Sequence, residues 1–278
     1  MLSIVSGVNY DPNARSELWE RVVNDVMEND SEKAVYLQKA LGYGLTGDTS
    51  EECFFLLYGA TTRNGKGTLS ETYRTMQGGY GRATRPETIT QKDKANSNAP
   101  TEDIARLAGA RSVNISELGK QMVLSSALVK TLTGRDTINA RFLNENSFEF
   151  VPQFKLFVNT NYLPKVTDPT IFDSGRVKVI PFNRHFTENE QDKSLKKKLT
   201  SAKNLSGILN WCLDGLWLMR EAGFDPPTAV QAATASYRRD SDKIARFVDE
   251  MMEPDITGEI RTEDAYRAYQ EWCTRNGQ

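Results

Sequence analysis

One lysine in this sequence sits where it could handle phosphate. The run Phe54-Phe55-Leu56-Leu57-Tyr58 is apolar and ends at Gly59, which reads as a buried strand. Residues 60–67, Ala-Thr-Thr-Arg-Asn-Gly-Lys-Gly, form a glycine-containing turn, and residues 68–77 can start a helix. In that order the turn's backbone N–H groups and the positive end of the helix face one point, and Lys66 adds a cation there. A polyphosphate suits the arrangement, with Thr61, Thr62, Arg63, Asn64, Gly65, Lys66, Gly67 and Thr68 as the residues around it. The spacing departs from the usual loop in two places. Counting back from Gly65-Lys66 puts Ala60 at the first glycine position, so the loop is either one residue longer or glycine-free there. Gly67 stands where a Ser or Thr hydroxyl usually reaches magnesium; Thr68 is the nearest substitute, and Thr62 or a water could also serve.

Further along, Ser112-Val113-Asn114-Ile115-Ser116-Glu117 reads as a short strand with an acid at its end. A carboxylate at the tip of a strand beside a phosphate loop can polarise an attacking water and help hold magnesium, so Glu117 and Thr68 are the metal candidates. Residues 154–161, Phe-Lys-Leu-Phe-Val-Asn-Thr-Asn, give another apolar strand with a polar tip, where an asparagine can bond the terminal phosphate or place a water. The last core strand is Arg176-Val177-Lys178-Val179-Ile180-Pro181-Phe182, stopped by proline. Arg176 at its mouth is a candidate to reach a phosphate, of the same subunit or of a neighbour.

The elements that must carry these residues fit a chain of 278 residues, long enough for one large domain with a small one appended. A 38% hydrophobic and 26% charged composition is ordinary for a soluble globular protein. The net charge of −2 gives no global pull on nucleic acid, so DNA contact has to come from local basic patches or an assembled ring. Cys53, Cys212 and Cys273 lie far apart and read as reduced thiols of a cytosolic protein. With His185 the only histidine, a zinc site or a Ser-His-Asp triad is disfavoured. There is no signal peptide and no apolar run long enough to cross a bilayer.

Residues 16–43 predict two amphipathic helices broken around Asn29-Asp30-Ser31, with Ser31 as the second N-cap. Together they form a lead-in to the core, in a chain that reads as starting inside a larger protein. Residues 78–100 are polar and glycine-rich and predict an exposed loop, with Arg82, Arg85, Lys92 and Lys94 as candidate phosphate contacts or plain solvated side chains. A helix from Thr101 stops at Gly109. Residues 128–150 predict a helix ending before Gly134 and then a β-hairpin turning at Asn144-Glu145-Asn146. Such a hairpin could bring Arg141 to a nucleic-acid backbone.

Taken in order, these parts resemble the helicase domain of phage and plasmid primase-helicases, the family of satellite-phage and poxvirus-type primases within helicase superfamily 3. The likeness runs from Tyr10-Asp11-Pro12 to the C-terminus. It rests on Asn64-Gly65-Lys66, on residues 109–117, on Lys-Thr-Leu-Thr-Gly-Arg-Asp at 130–136 with Ala140-Arg141 after it, on residues 154–161, and on residues 176–182. The resemblance implies an α/β fold of the AAA+ type, a P-loop core with a parallel central sheet. Its implied activity is that of a ring-forming ATPase, usually a hexamer, that uses ATP and Mg2+ to move along single-stranded or forked DNA during phage or plasmid replication. By position it makes Lys66 the phosphate-loop lysine, Glu117 the second acidic motif, Asn161 the sensor and Arg176 the arginine given to the adjacent subunit. Residues 130–141 resemble the motif whose hairpin lines the DNA channel, which makes Lys130, Arg135 and Arg141 the implied DNA contacts. Two departures stand out: Ser116 where many relatives have an acid, and Ser174-Gly175 where an aromatic and a second arginine are common. A primase module is expected upstream, or other replication proteins as partners, and priming is not expected of this chain. The implied location is the cytoplasm of a bacterial or phage-infected cell.

Residues 187–204 hold Lys193, Lys196, Lys197, Lys198 and Lys203, read as a solvated helix face ahead of a DNA contact. Residues 205–221 predict a strongly apolar helix whose tryptophans belong to the core. After Pro226-Pro227, residues 228–278 predict three helical stretches, a small helical or winged-helix unit. The expected division is a helical lead-in at 1–50, an ATPase core at 51–186 and a C-terminal region at 187–278. A catalytically weakened nucleotide-binding and DNA-binding or loader module is the competing reading, motivated by Gly67 and Ser116. A small-molecule kinase ranks last, because nothing after the loop resembles an acceptor lid.

Overall fold

The computed structural model describes residues 4–91, 101–253 and 255–276, so the candidate contacts Lys92 and Lys94 lie outside the described residues. The chain parts into two compact units, Met1–Thr234 and Ala235–Gln278. The first opens with helices α1 (Glu17–Val26) and α2 (Ser31–Tyr43), followed by β1 (Phe54–Tyr58), α3 (Lys66–Gln77), β2 (Gly81–Thr84), α4 (Glu102–Ala105) and β3 (Ser112–Ser116). It continues through β4 (Val123–Leu124), α5 (Ser126–Thr133), β5 (Ile138–Ala140), β6 (Phe148–Phe150), β7 (Lys155–Thr160) and β8 (Lys165–Val166). Last come α6 (Thr170–Asp173), β9 (Val177–Pro181), α7 (Leu195–Leu199), α8 (Ala202–Ala222) and α9 (Thr228–Ser241), the unit boundary falling inside α9.

Five strands form one parallel sheet in the order β2-β3-β7-β1-β9. The apolar strand β1 lies between β7 and β9, with Phe55 opposite Phe157 and Phe54 opposite Val177. Its side chains are buried on both faces except at Tyr58, as expected of a parallel strand covered on both sides by helices. Strand β7 separates β1 from β3, so Glu117 does not end a strand next to the phosphate loop. Neighbour order in a parallel sheet is set by crossovers, which local sequence does not record. A second departure is β2. Residues 81–84, expected in a loop, form an edge strand whose only neighbour among the described residues is β3. Arg82 and Ala83 are exposed there, so the strand lacks the apolar alternation that announces one.

The N-terminal helices are part of this unit's core. In α1 the cap is Ser16, whose hydroxyl accepts from Trp19 N at 3.3 Å. In α2 it is Asp30, accepting from Lys33 N at 3.0 Å, one residue before the expected Ser31. The break between them places Glu28 and Asn29 at positive φ. Trp19, Tyr36, Leu37 and Leu41 join Phe55, Leu57, Ile208 and Cys212 in one cluster. Helices α2 and α8 cross where a side chain would not fit: a Cβ on Gly42 would lie 2.4 Å from Cys212 O, and one on Gly215 2.2 Å from Gln38 O. The expected boundaries at 50 and 186 therefore do not separate the compact units, because α2 and α8 close over the same face of the sheet. Trp211 belongs to this core, edge-on to Trp19 at 5.6 Å. Trp217, also expected inside, is 57% exposed with Arg220 over its ring.

The expected hairpin is β5 against β6, antiparallel, with Ile138 opposite Phe150 and Ala140 opposite Phe148. Asn144 at its turn has φ 60°. Cys53 and Cys212 are buried free thiols, and burial pushes the Cys53 thiol up to about 12, out of reach of thiolate chemistry. No helix among the described residues is long and apolar enough to cross a membrane. The second unit packs α10 (Lys243–Met251) on α11 (Thr262–Arg275) through Phe247, Tyr269 and Trp272, with Phe247 5.3 Å from Tyr269. Its described residues contain helices and no strand.

Candidate functional site

The loop after β1 closes on itself through its own carbonyls. Gly65, with φ 83°, caps α3, and Lys66 is the first helical residue. Lys66 is 5% exposed, and its ammonium donates to Gly59 O at 3.3 Å. Asn161, just past the end of β7, donates from Nδ2 to the same Gly59 O at 2.6 Å and also to Thr61 O. Asn64 donates to Thr61 O at 2.6 Å. Lys66 and Asn161, separated by the length of a domain in sequence, thus meet on one carbonyl. Burial lowers the Lys66 ammonium to about 8, so its charge is held at a desolvation cost that an anion would relieve.

Gly59 settles the loop length. A Cβ there would lie 2.3 Å from Asn64 Nδ2 and 2.4 Å from Phe182 O, so only glycine permits the closure. The loop therefore begins at Gly59 and is one residue longer than the usual spacing. Gly67 is exposed on the first turn of α3, and a Cβ there would touch nothing. Thr61, Thr62 and Arg63 form the exposed crown of the loop, with Arg63 at φ 56°. That crown is held from β9's far side: Phe186 N donates to Arg63 O at 2.8 Å, and His185 Nδ1 lies 2.8 Å from Thr62 O.

Beside the loop is a cavity of about 500 Å³, lined by Leu18, Val22 and Val26 of α1, by Arg63, Gly65 and Thr68, and by Phe186. Its volume falls in the range of small-ligand pockets. The apolar wall of α1 side chains and the loop border the same space, together with the charged Asp25, Glu190, Asp192 and Lys193; a ligand with an apolar end and an anionic end would suit the first two. Sequence reasoning missed this wall, since α1 and Phe186 carry no motif.

Glu117 lies just beyond β3 at φ 65°, exposed, at the same C-terminal edge of the sheet as the loop. Its N–H donates to Asn159 O at 3.2 Å. The Asn159 side chain, 8% exposed, accepts from Ser70 Oγ at 2.9 Å and donates to Asn114 Oδ1 at 2.8 Å. One residue of β7 thereby ties α3, which carries Lys66, to β3, which carries Glu117. Its signal was in plain view in Asn159-Thr160-Asn161, but the resemblance assigned a role only to the last asparagine. Among the described residues no three His, Cys, Asp or Glu side chains gather as a metal cage. A hydroxyl at Thr68 and an exposed carboxylate at Glu117 suit a magnesium held mainly by phosphate oxygens, which usually takes only one or two protein ligands.

Arg176 is not brought to this loop. It precedes β9, at the N-terminal edge of the sheet, about 17 Å of strand from the phosphate end. Its guanidinium bonds Glu52 O at 3.1 Å, Thr133 Oγ1 at 2.9 Å and the Glu52 carboxylate, so it is placed away from a phosphate of its own subunit. Of the implied DNA contacts, Lys130 is held by Asp168 at 2.9 Å and Thr170 at 2.7 Å. Arg135 is exposed at the start of the hairpin, and Arg141 is half-buried with its N–H bonded to Thr101 Oγ1 at 2.9 Å. In the basic run, Lys196 pairs with Glu71 and Lys198 with Asp192, the solvated face expected.

The family model described as Poxvirus D5 protein-like matches residues 239–278. Over 270 residues the chain is 26% identical to a protein described as a candidate helicase, 022R, of Frog virus 3 (isolate Goorha), covering 90% of this chain and 27% of that protein. Over 269 residues it is 29% identical to another so described, L207/L206 of Acanthamoeba polyphaga mimivirus, covering 90% of this chain and 28% of that one. The chain thus spans about a quarter of the length of these relatives. Among solved structures, the apo NrS-1 C-terminal region (305–718) superposes with a TM-score of 0.63 at 14% identity, covering 96% of this chain and 64% of that one. That likeness concerns the fold.

Proposed function

We propose that this chain is the ATP-driven motor core of a DNA helicase or translocase, an AAA+ ring of identical subunits, hexameric, acting on single-stranded DNA in viral, phage or plasmid replication. The observation that carries the reading is the meeting of Lys66 and Asn161 on Gly59 O at the end of β1, beside a cavity of nucleotide size. The relatives' descriptions as candidate helicases support it. A primase or other replication protein attached to or working with the ring, and a cytoplasmic site of action, belong to the same reading.

In this mechanism the loop N–H groups and the N-terminus of α3 bind the β- and γ-phosphates. Lys66 offsets charge on the γ-phosphate as water attacks in line, and Asn161 moves from the loop carbonyls to the phosphate or the water. Glu117 orients and polarises that water. Magnesium bound with the nucleotide would neutralise phosphate charge, with Thr68 and Glu117 as its protein ligands. Arg176 serves the neighbour's site, for which it must leave Glu52 and Thr133. Lys130, Arg135 and Arg141 around the β5–β6 hairpin face the DNA, and an exposed ion pair such as Lys130–Asp168 costs only about 0–1 kcal/mol to open.

Steady-state ATP hydrolysis of wild type, Lys66→Ala and Arg176→Ala, with and without single-stranded DNA, tests this. DNA-stimulated turnover lost in both variants, and restored by mixing Arg176→Ala with Glu117→Gln subunits, is the expected result. A second reading, a module that binds nucleotide without turning it over, is favoured by Gly67, which leaves that position without a hydroxyl. ATP binding by the wild type without any hydrolysis would select it and refute the motor.

A further inference from the structure

Between β9 and α7 the chain crosses the crown of the phosphate loop as a strap, residues 184–191, knit to itself by side-chain bonds. The Glu190 carboxylate closes it, accepting from Thr187 N at 2.8 Å, from Thr187 Oγ1 at 2.7 Å and from the Arg184 guanidinium. Gln191 Nε2 donates to Phe186 O at 3.0 Å and to Thr187 O at 3.1 Å, and Arg184 lies over the Phe186 ring at 4.9 Å. From this frame two groups reach consecutive carbonyls of the loop. Phe186 N donates to Arg63 O at 2.8 Å, and His185 Nδ1 lies 2.8 Å from Thr62 O. A ring nitrogen facing a carbonyl oxygen at that distance must carry the hydrogen, so His185 is the donor.

These two bonds fix the reverse side of the same peptide units. Thr62 C=O shares a planar trans peptide with Arg63 N–H, and Arg63 C=O shares one with Asn64 N–H, so each N–H points opposite to its carbonyl. With both carbonyls drawn to the strap, both N–H groups are turned away from it, and among the described residues neither donates to another group. Arg63 sits at φ 56°, a left-handed conformation that persists in a non-glycine residue only where its surroundings hold it. Phe186 lines the cavity beside the loop and His185 does not, so the histidine acts on a ligand there through the loop and not by contact. We propose that His185 is a positioning residue of the phosphate site: its Nδ1–H, together with Phe186 N, turns the Arg63 and Asn64 N–H groups toward the bound phosphates. The inference rests on the phosphate-loop reading for its ligand, and it holds whether or not those phosphates are hydrolysed.

The test compares wild type, His185→Asn, His185→Gln and His185→Leu, each as the full chain with magnesium. Calorimetric titration with a non-hydrolysable ATP analogue and with tripolyphosphate reads phosphate affinity, and competition by adenosine reads the rest of the site. An Asn amide nitrogen stands two bonds from Cβ, as Nδ1 does, whereas a Gln amide nitrogen stands three bonds out, as Nε2 does; Leu has no donor. His185→Leu and His185→Gln should weaken both phosphate ligands about fivefold, in line with one lost hydrogen bond, and His185→Asn should stay within about twofold of wild type. Adenosine, which lacks the phosphates, should compete equally in all four proteins. Wild-type affinity for tripolyphosphate in His185→Leu would overturn the proposal. So would an equal loss in all three variants or a loss that extends to adenosine, since either marks a role in holding the fold and not in aiming two N–H groups. Full DNA-stimulated ATP turnover with unaltered binding in His185→Leu would remove the positioning role and leave the motor standing; the expected affinities in a protein that never turns ATP over would do the reverse. A wild type that binds neither phosphate ligand would sink both.

Discussion

Replacing Asn159 by alanine removes a side chain that joins α3 to β3 near the loop; the other link among the described residues, Ser112 Oγ to Gln77, lies at the far end of both elements. Two hydrogen bonds go, to Ser70 Oγ at 2.9 Å and to Asn114 Oδ1 at 2.8 Å, and both partners stay behind in a largely dry layer. A buried polar group left unpaired costs about 1–3 kcal/mol, so two should cost roughly 3 kcal/mol together after partial relaxation. For a unit of this size about 2–4 °C of melting temperature accompanies each kcal/mol, which gives a drop of roughly 6–12 °C. Ser70→Ala leaves only one orphan, at Asn159, and costs about 1–2 kcal/mol. The double variant should cost less than the sum, with a coupling of about 0.5–3 kcal/mol, since the second change removes a group the first had stranded. Denaturant unfolding of all four proteins measures the cycle. The backbone bond from Glu117 N to Asn159 O survives the substitution, so nucleotide binding should persist, while turnover, which needs α3 and β3 held together, should fall more than affinity. An Asn159→Ala protein melting within about 1 °C of wild type, or strictly additive costs with Ser70→Ala, would refute the argument that this bond pair ties the two elements.

Gly59→Ala should cut nucleotide affinity sharply and destabilise by about 1–3 kcal/mol, because the new methyl meets Phe182 O, a backbone atom that cannot swing aside; isothermal titration with a non-hydrolysable analogue checks it. Gly67→Ser meets open space, so it should raise stability by roughly 0.5 kcal/mol through helix propensity and increase magnesium-dependent turnover, read by melting and by a magnesium titration. The Lys66 ammonium, lowered to about 8 by burial, should take up a proton when anionic phosphate arrives. Affinity should then weaken as pH rises above 8, by up to about tenfold per unit, and calorimetry in buffers of different ionisation enthalpy should show proton uptake that Lys66→Met abolishes. Binding that strengthens from pH 8 to 9 would contradict the assignment.

Much of this site was readable in the sequence because the features are local. An apolar run, a glycine turn and a lysine specify β1, the loop and α3 without reference to anything distant, and the hairpin announces itself by alternation around Asn144. What stayed hidden depends on partners. The interposition of β7 is a fact of topology, and with it went the role of Asn159, whose value comes from touching two elements at once. Arg176 looked free to reach a phosphate because nothing in its neighbourhood of sequence names Glu52 or Thr133 as its partners. Strand β2 is polar because an edge strand needs only a backbone partner on one side. The lead-in helices read as an appendage because their apolar stripes do not say that α8 is what covers them.

The placement of β1 between β7 and β9 also dictates when the loop can exist during synthesis. Phe55 pairs with Phe157 and Phe54 with Val177, so both edges of the most apolar strand await chain made long after it. Until then a nascent polypeptide carries a sticky ribbon with two open sides, the kind of segment that pairs with other copies before it pairs with itself. Phosphate binding is thus a late event in the life of each molecule. A ribosome-stalled chain ending near residue 150 has the whole lysine loop in covalent form, yet none of the carbonyl closure by Asn161 that gives the loop its shape.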